Sequence, residues 1–272
     1  MNLNLFTFLL RRPFFKGQHR IFNYLFKKGY LESFENRIVK PLVGNFKIKC
    51  NTKTWIGAQI IYLGEYEDYI KKTFATYIKQ EDIVLDIGAN IGFHTLYFAS
   101  LVGENGKVIA FEPIPSTFAL LEENVGLNNF NNIVLHNLAL GNENATLGIN
   151  IEENNINPGA NNLFNEGNTL VHCKIGDDIV VDEKVNFIKI DVEGYELLAL
   201  KGLSELIRKQ KPTIIFEYDK NYQLKTSNNP LDIFSFIESF EYTFHTIERS
   251  GIKGIKNLSE LTSADILALP IK

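Results

Sequence analysis

An open, mostly parallel α/β sheet is the fold this sequence predicts, and three observations predict it. Apolar runs of strand length at residues 84–87, 108–111, 133–136, 187–190 and 213–216 alternate with stretches whose apolar residues recur at helical spacing. Each run ends at or beside a polar residue: Asp86, Glu112, Asn137, Asp191 and Glu217. The first run opens into the small-residue turn Gly88-Ala89-Asn90-Ile91-Gly92, and a helical pattern follows.

The turn is the most informative stretch. Gly88 and Gly92 let the backbone bend sharply and lie close to a ligand, because neither carries a Cβ. Glu112 follows Gly92 by twenty residues at the end of the second strand, where a carboxylate accepts both hydroxyl protons of a ribose. The pattern departs from the dinucleotide fingerprint, since Asn90 stands where a second glycine would admit a pyrophosphate. Asp86, two residues ahead of Gly88, either ties the turn together or places a negative charge near the ligand. Such a charge suits a cation. S-adenosylmethionine, with its ribose, adenine, ammonium and sulfonium, is a ligand of that kind.

Taken in order, residues 1–40 interleave Arg11, Arg12, Lys16, Arg20, Lys27 and Lys28 with aromatic and aliphatic residues. Ile21 and Leu25, and Phe22 and Phe26, pair at helical spacing. This is a basic amphipathic helix that touches an anionic membrane or a partner, or a packing helix with a solvated basic face. Residues 46–49 and 60–63 read as a small β element, and 69–78 as a helix. Trp55 between them belongs to the core or to the mouth of the site. Residues 1–78 thus form an N-terminal basic helical and small β appendage, and 79–272 the ligand-binding domain.

After the turn, Leu96, Ala99 and Val102 mark a helix, and Pro115 suits the first turn of the next. Asn137-Leu138-Ala139 closes the third strand, where the amide of Asn137 reads an adenine edge or stabilises a turn. Residues 142–168 hold ten asparagines, a polar insertion between hairpin arms at 145–151 and 169–175 that would cover the substrate. Asp177 and Asp178 suit helix capping. Beyond Asp191, a helix runs through Leu200, Leu203, Leu206 and Ile207, another spans 230–240, and strands at 242–247 and 266–269 close the sheet. Ligands of open α/β sheets lie outside the carboxyl ends of the strands, so the strand-end polar residues gather there.

Composition narrows the class. The 272 residues, 45% hydrophobic and 12% aromatic, can bury a full core. Cys50 and Cys173 alone form neither a disulfide framework nor a four-ligand zinc site, and a reducing cytoplasm is the expected location. No apolar run approaches the roughly 18 residues that span a bilayer, and residues 3–10 precede their arginines, unlike a signal peptide. Residues 1–50 hold ten Lys or Arg against Glu32 and Glu35, a net +8, which leaves −12 on the rest of a chain whose total is −4. That acidic body argues against a nucleic-acid substrate.

The sequence resembles the FkbM-type S-adenosylmethionine-dependent methyltransferases over about residues 55–220. The resemblance rests on the segment from Asp86 to Thr95, on Phe111-Glu112-Pro113, on Asn137-Leu138-Ala139, and above all on Lys189-Ile190-Asp191-Val192-Glu193-Gly194-Tyr195-Glu196. Gly176 departs from it, standing where leucine is usual. The resemblance implies a Rossmann-like class I methyltransferase, doubly wound with a final antiparallel strand, that methylates a hydroxyl on a sugar or a polyketide-like metabolite. It implies that Asp86, Gly88 and Asn90 line the methionine portion of the donor, with Gly92 beside them, Glu112 its ribose, and Asn137 and Ala139 its adenine.

Methyl transfer from a sulfonium is an in-line displacement, and an alcohol acceptor must also lose a proton. Asp191 is the first candidate base, with Glu193 and Glu217 in reserve as orienting or substrate-binding groups. Three such acids could instead hold a divalent metal. His94 contacts substrate, acts as a base, or makes a structural hydrogen bond. Enzymes that methylate base amino groups carry Asn/Asp-Pro-Pro-aromatic here, and Asp191-Val192-Glu193-Gly194 is not that. The rival readings are an NAD-dependent oxidoreductase, weakened by the missing glycine, and a non-catalytic module that recruits a partner through its basic N-terminus.

Overall fold

The computed structural model describes residues 3–11, 15–150, 167–226 and 229–271. The chain opens with α1 (Leu3–Leu10), α2 (Gln18–Lys27), β1 (Arg37–Val39), β2 (Ile48–Cys50), α3 (Trp55–Tyr62) and α4 (Lys71–Tyr77). The sheet begins with β3 (Ile83–Ile87), α5 (Phe93–Val102), β4 (Lys107–Phe111), α6 (Pro115–Gly126) and β5 (Ile133–His136). Then come β6 (Ala139–Gly141), β7 (Ala145–Ile149), β8 (Thr169–Ile175) and α7 (Gly176–Ile179). The second half holds β9 (Val185–Ile190), α8 (Glu196–Lys201), α9 (Ser204–Gln210), β10 (Thr213–Asp219), α10 (Lys220–Thr226), α11 (Asp232–Glu238), β11 (Tyr242–Glu248), β12 (Gly251–Gly254) and β13 (Ser263–Pro270).

The eight-stranded sheet has the order β12-β11-β13-β10-β9-β3-β4-β5. From β5 to β10 the pairings are parallel, and β13 runs antiparallel to both β10 and β11. This is a Rossmann-like, doubly wound sheet with an antiparallel final strand. The inner strands are buried on both faces, so they read as continuous apolar runs without alternation. From β3 the chain winds outward to β4 and β5, then returns to β9 on the other side. The switch point therefore lies between β3 and β9, where Asp191 N–H donates to Ile87 O at 3.0 Å.

One face of the sheet is covered by α5 together with the N-terminal segment. Phe22, Ile48, Ile60 and Phe74 share a single buried cluster with Val84, Phe98, Phe187 and Leu267. The opposite face buries Leu200, Ile207, Phe234 and Ile237 against Ile188, Phe216 and Ile266. The predicted hairpin forms, with β7 antiparallel to β8. The loop expected to cover the substrate falls at 151–166, outside the described residues.

Two expectations need correction. Residues 60–63 are not a strand: α3 is capped by Thr54, whose side chain accepts from Gly57 N–H, and seven of its eight residues are buried. A helix buried all round shows no period to separate it from a strand. The helix expected through Leu200 and Ile207 is instead two, α8 and α9. Gly202 interrupts it because that backbone lies against β6, where an added Cβ would stand 2.0 Å from Gly141 O. Asp177 caps as expected, but the helix it caps is α9: its carboxylate accepts from Glu205 N–H and Leu206 N–H, both at 2.9 Å.

Candidate active site

The site is built on the ends of β3, β4 and β9. Gly88 and Gly92 have φ of 81° and 91°, and Asn90 holds 49°, so the turn runs through the left-handed region three times. Its backbone is pinned from β4: Gly88 N–H and Ala89 N–H both donate to Phe111 O, at 2.9 and 3.0 Å. Glu112 completes the clamp. One carboxylate oxygen accepts from Asn90 N–H at 2.9 Å and the other from Ile114 N–H at 3.0 Å. Burial pushes the Glu112 carboxyl up to about 7, against the lowering effect of those two N–H groups. Each oxygen keeps a second lone pair, which leaves acceptor capacity for a diol.

Around this turn a cavity is lined by Gly88, Asn90, Glu112 and Ile114 on one side and by Lys189, Asp191 and Glu193 on the other, with Ile56, Tyr66 and His94 closing it. A narrow apolar crevice continues past Gly88 between Phe111, Pro113, Leu138, Ala139 and Tyr195.

Asp86 does not line the cavity. It is fully buried, accepts from Thr95 Oγ1 at 2.6 Å and lies 3.6 Å from Lys189 Nζ. Lys189 is the residue that sequence reasoning undervalued. Its ammonium bridges Asp86 and Asp191, 3.5 Å from the latter, and donates to Gly88 O at 3.0 Å. Burial alone would lower its pKa, but the charges of Asp191, Asp86 and Glu67 outweigh burial and raise it. A single lysine inside the apolar strand 187–190 was the available signal. Asn137 donates to the carbonyls of Glu112 and Pro113 at 2.9 and 3.1 Å, so its amide braces the clamp from outside.

Asp191, Glu193 and Glu217 come together as expected, each offering an oxygen within 4.8 Å of the others, a spacing that a divalent cation could use. The cap that competes with a chemical role for Asp191 is not made: α8 begins after Tyr195 with no side-chain cap, and the turn before it is tied by Glu196. Glu196 accepts from Val192 N–H and Gly194 N–H, both at 3.1 Å, and Gln223 donates to its other oxygen at 2.6 Å. Asp191 is left with Lys189 as its ionic partner and 28% of its side chain exposed to the cavity. Burial, then the charge of Asp191, pushes Glu193 up to about 8 and Glu217 up to about 10.

His94 also lines the cavity, but its Nε2 is 3.0 Å from Glu67, and its ring packs among Phe74, Phe93 and Phe98. Glu67 was missed in the sequence. Its backbone sits at φ 49°, and its partner is 27 residues away. Asp265 on β13, which accepts from Tyr69 OH, was missed too; burial and then the charge of Glu67 push it up to about 7.

The proton on Glu217 has a measurable consequence. Unfolded, the group titrates near 4.5; folded, near 10. Between those values the folded chain keeps a proton that the unfolded chain has lost, so the contribution of this group to stability falls as pH rises. Glu217→Gln removes that slope. Its Tm should gain on the wild type as pH is raised from about 5 to about 9, by roughly 10 °C at the upper end. A gap in thermal melts that stays constant across this range would contradict the assignment.

A mostly parallel sheet of order β5-β4-β3-β9-β10-β13-β11, with a glycine turn after its central strand and a ribose-spaced acid after the next, defines the class I methyltransferases. The chain belongs to the FkbM methyltransferase family: the family's model, Methyltransferase FkbM domain, matches residues 86–244. The oxidoreductase alternative falls with that membership.

Among its relatives, Methyltransferase 1 of Beauveria bassiana is 26% identical over 191 residues, 60% of this chain and 74% of the relative. Hexuronic acid methyltransferase AglP of Haloferax volcanii is 32% identical over 134 residues, 48% of this chain, and the match spans about half of AglP, 53%. A crystal structure of Methyltransferase FkbM from Methylobacillus flagellatus superposes with a TM-score of 0.47 at 19% identity, covering 93% of this chain and 71% of that one.

S-adenosylmethionine is the methyl donor of the class, and the residues present fit it. The Glu112 carboxylate keeps lone pairs for ribose hydroxyls, and the crevice beside Ala139 is apolar.

Proposed function

We propose that the protein is an S-adenosylmethionine-dependent O-methyltransferase that acts on a hydroxyl of a sugar, a glycan or a related metabolite, with Asp191 as the base. The observation that carries this reading is the placement of Asp191. It faces the cavity beside the donor turn and caps no helix, since α8 has no side-chain cap and the turn between them is tied by Glu196.

When bound, the donor supplies an electrophilic methyl group on a cationic sulfur. Asp191 would take the proton of the acceptor hydroxyl as that oxygen becomes the nucleophile. Lys189 fixes the orientation of the Asp191 carboxylate through their 3.5 Å contact. Glu193 and Glu217, holding protons at neutral pH, donate hydrogen bonds to other acceptor oxygens. Glu112 would hold the ribose. The kinship with a hexuronic acid methyltransferase supports a sugar acceptor.

The test is a panel of free, nucleotide-linked and lipid-linked sugars incubated with methyl-labelled donor. Label in an alkali-stable ether on a sugar is the expected result. Label only on nitrogen, or only on an ester, would sink the reading.

A further inference from the structure

The outward face of α2 carries a feature that the methyl-transfer site does not use. The inner face of this helix is spent on the fold: Phe22 is fully buried and packs on Trp55 at 5.4 Å, with Phe26 on the same indole at 5.2 Å. The outer face follows helical spacing through Arg20, Ile21, Tyr24, Lys27 and Lys28, all exposed. Ile21 is 47% exposed and Tyr24 57%, and Tyr24 packs on the equally exposed Tyr30.

Ordinary helix design does not account for this stripe. A solvated face is polar throughout, whereas here an isoleucine and two tyrosines sit among cations. Lys27 and Lys28 suit the negative end of the helix dipole, but Arg20 lies in the first turn, where the dipole disfavours a cation. Among the described residues, none of Arg20, Lys27 and Lys28 forms an ion pair. The first acid in the chain is Glu32, after six Lys or Arg.

We infer that this face docks the enzyme on an anionic bilayer. The cations meet lipid phosphates, while Ile21, Tyr24 and Tyr30 enter the interfacial layer, where aromatic rings with a polar tip are favoured. A polyanion without an apolar layer would leave the isoleucine and tyrosines unused, which is why a lipid surface fits better than nucleic acid. The seat of the helix also leads toward the cavity: Trp55, under Phe22 and Phe26, is followed by Ile56, which lines it. The inference stands apart from the proposed acceptor, since docking requires no turnover.

The test is flotation of the full-length protein with vesicles of phosphatidylcholine alone, or with about 30% phosphatidylglycerol added. Binding to the anionic vesicles only, reversed by high salt, is expected. Replacing Arg20, Lys27 and Lys28 together with Gln should weaken it on the order of 100-fold, about fivefold per charge. The pair Ile21→Ser and Tyr24→Ser, which keeps the charge, should weaken it about tenfold or more. All substituted positions are exposed, so unchanged melting is expected. Equal binding to neutral vesicles, no binding to anionic ones, wild-type binding by the charge variant, or tighter binding of an RNA oligonucleotide that ignores Ile21 and Tyr24 would each overturn the inference.

Discussion

Asp191→Asn is expected to reduce methyl transfer about 10²–10⁴-fold while leaving donor affinity within about threefold of the wild type. Asparagine is isosteric with aspartate but cannot accept the acceptor's proton. It keeps the backbone bond from Asp191 N–H to Ile87 O, and the Val192–Gly194 turn stays tied by Glu196. Lys189 retains Asp86 and Gly88 O as partners, so its buried charge is not stranded. Calorimetric titration with S-adenosylmethionine, set beside turnover of the acceptor found by screening, separates the two effects. Wild-type turnover would remove Asp191 from the chemistry, and loss of donor binding would reassign it to the donor pocket.

Gly88→Ala should do the largest damage of any glycine-to-alanine change among the described residues. The new Cβ would lie 1.9 Å from Asp191 O, and the backbone holds φ at +81°, where an L side chain is strained. Relief would require separating the ends of β3 and β9, which carry both the donor turn and Asp191. Strain and overpacking together should cost about 3–5 kcal/mol, a fall in Tm of roughly 6–15 °C. Donor binding should be lost as well. Gly126→Ala is the control: no atom lies within 4 Å of its added Cβ, and its melting should stay within about 2 °C of the wild type. A Gly88→Ala protein that melts normally and binds donor would show that the two strands yield more than this packing allows.

The central sheet was legible because its strands are buried on both faces. Such strands appear as unbroken apolar runs, and the turns between them are marked by glycine, proline and strand-end acids. The donor clamp was legible in part. The spacing of Glu112 after Gly92 is local and visible in the sequence, but the bonds from Glu112 to Asn90 and Ile114 are not.

What escaped was set by tertiary contact. Helix α3 looked like a strand because total burial erases its period. Lys189 and Glu67 owe their importance to partners at the far ends of other elements, Asp86 and His94, which no local pattern announces. Asp86 carried a plausible ligand role on charge alone. Its burial under Thr95 and Lys189 places it behind the cavity wall instead.

The place of β13 bears on how the molecule comes into being. β13, the last strand in chain order among the described residues, lies inside the sheet between β10 and β11, and its Leu267 packs in the same cluster as Phe22. Until β13 is in place the β11–β12 hairpin has no seat on the sheet, and the unpaired β10 edge is open to neighbouring polypeptides.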